Sequence, residues 1–218
     1  MTPEFPNIKE HRSPYSVALV VVATLFVVVL WGCWYSRSTT LLLVRHAEKG
    51  SGLNPALTTA GENRAEALVH VAEGARVVAV YATEWCRTAL TAEPTAASLG
   101  LEIQIQPNAT TGDQLAGCGV SRATALLDPS VATPAQLVAH VLSTHRGGTV
   151  LIVGHSNTVP AMVEAAGAPA LCPDYFPLAD GDCRIPDQPG NSEFHHLFVL
   201  EVPRWFGSTR LVKATYGG

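Results

Sequence analysis

The sequence predicts an α/β domain with a mostly parallel central sheet, preceded by one long apolar segment. Three observations carry that reading. Short apolar runs, Leu41–Val44, Arg76–Tyr81 and Thr149–Val153, alternate with longer segments of helical pattern. Runs of this length bounded by polar residues read as strands buried on both faces, as in parallel sheets. Each run also leads to charged or titratable residues: Arg45-His46 after the first, Arg87 just beyond the end of the second, and His155 after the third. Ligands of open α/β sheets bind beyond the carboxyl ends of the strands, which is where these side chains fall.

The 218 residues are 47% hydrophobic and 15% charged, with a net charge of -4. Much of the low charge traces to an uncharged stretch near the start; the remainder suffices for one domain with a sizeable core. A mildly acidic balance without basic clusters gives no reason to expect nucleic acid as a partner. Cys33, Cys86, Cys118, Cys172 and Cys183 form no C-x-x-C pair, so no structural zinc is expected. Cys172 and Cys183 flank Pro173–Asp182 and could bridge it in an oxidising compartment, or remain two thiols.

In chain order, residues 1–15 form a polar tail and residues 16–36 a transmembrane helix or signal anchor. Val17–Tyr35 is interrupted only by Thr24 and Gly32. That is close to the ~20 residues that cross a hydrocarbon core. Trp31, Trp34 and Tyr35 crowd its far end, where amphipathic rings favour the interface. Lys9 and Arg12 precede the run and Arg37 follows it, slightly favouring a cytoplasmic tail and a periplasmic or extracellular domain at 39–218. The run exceeds a signal-peptide core, and no A-x-A site follows. Leu30-Trp31-Gly32-Cys33 only faintly resembles a lipoprotein cleavage box, since Trp31 is bulky where that box has a small residue.

After the first strand, Gly50-Ser51-Gly52 makes a loop, and Thr59 with Glu62 reads as a capping box opening a helix to about Glu73. The second strand ends at Ala82-Thr83-Glu84. A helix then runs through Ala97, kinked or restarted at Pro94, and stops at Gly100. Leu101, Ile103 and Ile105 alternate as a third strand. Pro107–Pro129 is irregular, and a loop of that length is usually functional. Thr133-Pro134-Ala135-Gln136 caps a helix to about His145, with Leu137, Val138, Val141 and Leu142 inward. A strand from Thr149 runs into Gly154-His155-Ser156-Asn157, followed by a helix to Ala166. Pro169–Ser192 reads as loop, and Phe194–Val202 and Thr209–Thr215 as two last strands.

Arg45, His46, Arg87 and His155 thus converge on one sheet edge as a strongly positive pocket suited to a phosphate dianion. Arginine forks match phosphoryl oxygens bidentately, and the helix after His155 can add backbone N–H donors.

Leu43-Val44-Arg45-His46-Ala47-Glu48 resembles the Arg-His-Gly motif of the histidine phosphatase superfamily, which includes phosphoglycerate mutases and acid phosphatases. The likeness continues through Leu57-Thr58 with Gly61, Tyr81–Thr88 with Thr91-Ala92, and Val153–Asn157. It implies a phosphoglycerate mutase-like three-layer sandwich over roughly Thr39 to the C-terminus. It also implies hydrolysis of a phosphate monoester, small molecule or phosphoprotein, with His46 as nucleophile carrying a phosphohistidine. Arg45, Arg87 and His155 would hold the phosphoryl oxygens, with Asn54 and Thr83 completing the substrate-binding set. No metal or other cofactor is implied, because the arginines supply the charge. Larger members place an acid downstream of the second arginine; here Asp113 is the best-placed candidate, with Glu102 and Asp128 behind it. Glu48 is read as orienting the Arg45–His46 loop.

The other histidines suggest no metal site. His195 and His196 alternate on a strand, His140 and His145 are five apart on a helix, and His11 and His70 stand alone. Cys86 beside Arg87 lacks a phosphate-cradling glycine loop and is read as a packed thiol. Two rival readings remain: mutase or phosphotransfer activity, and a non-catalytic phosphate- or phosphoprotein-binding module.

Overall fold

The computed structural model describes residues 14–35, 38–107, 115–122, 124–169, 171, 184–185, 187–188 and 191–217. The chain divides into two units, Met1–Arg37 and Ser38–Gly218. In the first, α1 runs over Pro14–Tyr35, 22 residues without an Asp, Glu, Lys or Arg. Described side chains cover residues 18–28 and Gly32 alone, and they are exposed. Among the described residues no helix is long and apolar enough to cross a membrane, so the expected span over 16–36 finds no support there. The tail before Pro14 lies outside them.

The second unit is a three-layer α/β/α sandwich. Its elements are β1 (Thr39–Arg45), α2 (Thr59–Gly74), β2 (Val77–Thr83), α3 (Cys86–Ser98), β3 (Ile103–Gln106), β4 (Thr124–Leu126), α4 (Pro134–Thr144), β5 (Thr149–Gly154), α5 (Thr158–Ala165), the short pair β6 (Asp187–Gln188) and β7 (Asn191–Ser192), β8 (His196–Val202) and β9 (Arg210–Thr215). The main sheet has the order β4-β3-β2-β5-β1-β8-β9. Its first five strands are mutually parallel, and β8 and β9 add antiparallel at one edge.

Alternate side chains of one strand feed opposite layers. Leu41 and Leu43 join Tyr81, Val150 and Ile152 under Val138 and Val141 of α4 and Val159 and Met162 of α5. Leu42 and Val44 join Val80, Leu151 and Val153 under Leu68 of α2 and Ala89, Ala92 and Ala96 of α3. Small alanines let α3 approach the sheet closely, which brings its first turn to the strand ends. Arg45 pairs in register with Gly154, so the ends of β1 and β5 are level.

Several local expectations shift. The α2 cap is Thr58, not Thr59: its hydroxyl accepts from Gly61 N, and Gly61 rather than Glu62 is the third helical residue. Gly61 is required there, since a Cβ would stand 2.1 Å from the Glu48 carbonyl oxygen. The Thr133–Gln136 capping box forms as expected. Helix α3 runs through Pro94 as one element. The irregular stretches contain β4, β6 and β7, each too short to give a sequence period.

Cys86 is not a packed thiol: it forms a disulfide with Cys118, Cα–Cα 5.2 Å, across 32 residues of chain. The bridge ties the start of α3 to the segment after residue 114. Cys172 and Cys183 lie outside the described residues. Closing a loop of this length restricts the unfolded chain by about 3–4 kcal/mol. Cys86→Ser with Cys118→Ser is therefore expected to lower unfolding stability by that order, read as a fall in the urea midpoint with a steeper slope, because the unbridged unfolded chain is less compact.

Candidate active site

The site is built from three strand ends and the first turn of α3. His46 follows β1 with its backbone N–H donating to Gly154 O at 2.9 Å. Its Nδ1 stands 2.8 Å from Ala47 O. A carbonyl only accepts, so Nδ1 carries the proton and Nε2 keeps its lone pair. The same peptide is held from the other side: Ala47 N donates to Thr91 Oγ1 at 2.9 Å, and Thr91 Oγ1 donates to Arg87 O. Helix α3 thereby fixes both the tautomer and the aim of His46.

Arg45 and His46 are 1% and 3% exposed. The Arg45 guanidinium lies over Phe194 at 4.2 Å, and that of Arg87 over Trp85 at 4.6 Å, so each fork is backed by a ring. The rings of His46 and His155 meet edge-on at 5.5 Å. Among the described residues no hydrogen-bond partner meets three buried guanidinium nitrogens, Arg45 Nε and Nη2 and Arg87 Nε, while both side chains hold other interactions.

Electrostatics keep both imidazoles neutral. Burial first, then Arg45 and Arg87, pushes His46 down to about 3, against the opposing hydrogen bond to Ala47 O. Burial, then Arg87, His46 and Arg45, pushes His155 down to about 3. A buried histidine that resists protonation while its unfolded counterpart accepts a proton near 6.5 makes stability pH-dependent. The contribution is complete above about pH 6.5 and is lost progressively as pH falls toward 3. Urea midpoints are expected to drop between pH 6.5 and 4.5, and His155→Asn is expected to flatten that slope by about one proton.

His155 has a second orienting network. Thr88 Oγ1 lies 2.8 Å from the carbonyls of both Thr83 and Trp85, which only accept, so its single proton goes there. Thr83 Oγ1 then donates to Thr88 Oγ1 at 3.0 Å and accepts at 2.7 Å from His155 Nε2. Neutral His155 therefore carries its proton on Nε2. Thr88→Val removes the acceptor and lets Thr83 donate to His155 instead. We expect kcat/KM to fall ~5-fold, the worth of one net hydrogen bond of ~1 kcal/mol. Thr88→Ser should restore it, and the ¹⁵N shifts of His155 should report the tautomer change.

Among the expected binding residues, Thr83 is buried and meets His155, while Asn54 Oδ1 accepts from Cys86 N at 2.9 Å and pins its loop to α3. Asp113 lies outside the described residues. Glu102 precedes β3 at the sheet end opposite His46, in a separate cavity of about 480 Å³ lined also by Tyr81, His140 and His145. Asp128 is exposed and accepts from Ser130 N. Glu48 is bidentate on Arg64, at 2.7–2.9 Å. Partial burial raises its pKa, but the Arg64 hydrogen bonds outweigh this and hold Glu48 below its ordinary value, as a carboxylate.

Sequence reasoning passed over Thr88, Thr91, Trp85, Phe194 and the buried Glu84 beside Thr83. Four of these stand inside the stretch around Arg87, where the block itself was the signal; Phe194 is remote and gave none. Two histidine expectations also fail. His195 precedes β8, so alternation does not apply, and its ring lies 4.4 Å from that of His196. His145 leaves the helical path after α4 and joins His140 against Tyr81, hydrogen-bonding its hydroxyl at 2.8 Å. Among the described residues no His, Cys, Asp and Glu cluster could hold a metal ion.

Residues 41–110 match the family model of the histidine phosphatase superfamily (branch 1). No curated protein matches the sequence. Solved structures share the fold. Mycobacterial glucosyl-3-phosphoglycerate phosphatase with inorganic phosphate is 17% identical, covering 82% of this chain and 97% of that one, TM-score 0.51. Protein histidine phosphatase SixA complexed with tungstate is 15% identical, covering 81% and 96%, TM-score 0.50. Bacillus stearothermophilus YhfR is 20% identical, covering 83% and 97%, TM-score 0.50.

Proposed function

We propose, from the match of residues 41–110 to the histidine phosphatase superfamily model and the fold shared with solved phosphatases, that the domain is a histidine-type phosphatase and hydrolyses a phosphate monoester through a phosphohistidine on His46. The observation that carries this is the tautomer of His46. Its Nδ1 proton is committed to Ala47 O, leaving a neutral Nε2 beside Arg45, Arg87 and His155.

Nε2 attacks phosphorus in line; the N–P bond forms as the ester P–O bond breaks, and the leaving oxygen takes a proton to depart as an alcohol. Water then attacks phosphorus, the N–P bond breaks, and inorganic phosphate and neutral His46 are regenerated. Arg45 and Arg87 hold the equatorial oxygens and stabilise the charge that builds on them. A bound dianion raises the proton affinity of His155, so a proton taken up there counters the phosphoryl charge. Asp113 is the proposed proton donor to the leaving oxygen, with the buried Glu84 as the second carboxyl to test.

We further propose that the chain is held to a membrane by residues 16–36, with the domain on the periplasmic or extracellular side. The reading rests on the uncharged run Val17–Tyr35 of the sequence and on the Cys86–Cys118 bond, since disulfides persist in oxidising compartments. Protease should digest the domain in intact cells; a protected domain would refute the orientation.

Phosphate release by the full chain across sugar phosphates, nucleotides and phosphopeptides tests the activity. Turnover of at least one class is expected. Transfer to a second substrate without release would favour a mutase, and phosphate binding without turnover a binding module.

A further inference from the structure

The end of the domain opposite the active site carries a pair of exposed aromatics that the proposed chemistry does not use. Trp205 and Phe206, 59% and 93% exposed, sit at the tip of the β8–β9 hairpin. The sheet register locates that tip. Thr39, the first residue of β1, pairs with Val202, the last of β8, and Glu201 pairs with Arg210 at the start of β9. The hairpin therefore turns at the edge where the chain enters the domain. The active site lies at the other end of β1, after Arg45, ~20 Å away along the strand.

Val78, 50% exposed, belongs to the same edge, because its neighbour Val77 pairs with Thr149 and Thr149 with Thr40. Basic side chains share it. Arg204 lies over the Trp205 ring at 5.2 Å, Arg210 is exposed and 3.7 Å from Glu201, and Arg76 and Arg146 are exposed.

We infer that the β8–β9 tip docks into the interfacial zone of a lipid bilayer, with Trp205 and Phe206 as the inserted side chains. This rests on the membrane-anchor reading above. Under that reading the chain is tethered to a bilayer through the apolar run that precedes the domain, which keeps lipid within the domain's reach. Solvent-exposed Trp and Phe are costly on a free surface and favourable at headgroup depth, where Trp places its ring and its N–H together. Arg204 and Arg210 add attraction to anionic headgroups, reduced by Glu201. With the tip seated, the pocket opens away from the membrane toward solution.

The test uses the full chain in vesicles of phosphatidylcholine with phosphatidylglycerol. Phe206 is replaced by p-benzoylphenylalanine, and in a second variant Leu53, 96% exposed on the loop by the active site, is replaced instead. After illumination, lipid adducts on each peptide are measured by mass spectrometry. Adducts at position 206, several-fold above those at position 53, are the expected result. Equal or absent lipid adducts at 206, or adducts to another protein in native membranes instead of lipid, would overturn the inference. Alkaline carbonate extraction of the same vesicles reads the anchor separately. Retention without adducts at 206 rejects the hairpin inference while leaving the anchor, whereas adducts at 206 on an extractable chain reject the anchor alone.

Discussion

Replacing His46 by alanine is expected to lower kcat by at least ~10⁴-fold and to abolish any acid-labile phosphoenzyme, because removing a covalent nucleophile leaves only the binding groups around it. His46 is buried against His155 and Phe194, so the variant must be shown to fold by its thermal transition. His46→Asn fills more of the volume and should be as inactive. A residual phosphate adduct on the protein in either variant would mean that another group is phosphorylated. The loss should appear in kcat rather than KM, since Arg45 and Arg87 remain to bind the phosphoryl group.

The second large effect concerns Arg45. Stabilising donors of this kind are each worth ~10²–10³ in rate, and Arg45 presents a fork backed by the Phe194 ring at 4.2 Å. Arg45→Met should lower kcat by ~10³-fold. Arg45→Lys should recover only part of it, because an ammonium is a point charge without the planar donor pair. Added guanidinium should rescue Arg45→Ala more than Arg45→Lys if the missing fork is the cause. A lysine variant of full activity would show that charge alone is needed there.

Much of this was legible in the chain because its signals are local. A run buried on both faces announces β1, and a strand end followed by Arg45-His46 announces the pocket. The Thr133–Gln136 capping box is a four-residue pattern and needs no partner elsewhere. What escaped depends on long-range geometry. Cys118 meets Cys86 only after α3 and the segment beyond residue 114 are in place, whereas Cys172 and Cys183 attract attention by proximity in sequence. Phe194 reaches Arg45 across the sheet from the β8 side. The α2 cap was misplaced by one residue because Thr58 and Thr59 are adjacent, and only the close approach of Gly61 to Glu48 decides between them. The proton positions on His46 and His155 come from carbonyls and hydroxyls whose placement no motif spells out.

Those proton positions lead to the most direct test. Wild-type protein quenched during turnover of a ³²P-labelled monoester should carry acid-labile, base-stable phosphate on the peptide containing His46. NMR of that peptide should place the phosphate on Nε2, the nitrogen that the Nδ1–Ala47 hydrogen bond leaves free. Phosphate on Nδ1, on any other residue, or on no residue during rapid turnover would contradict the account.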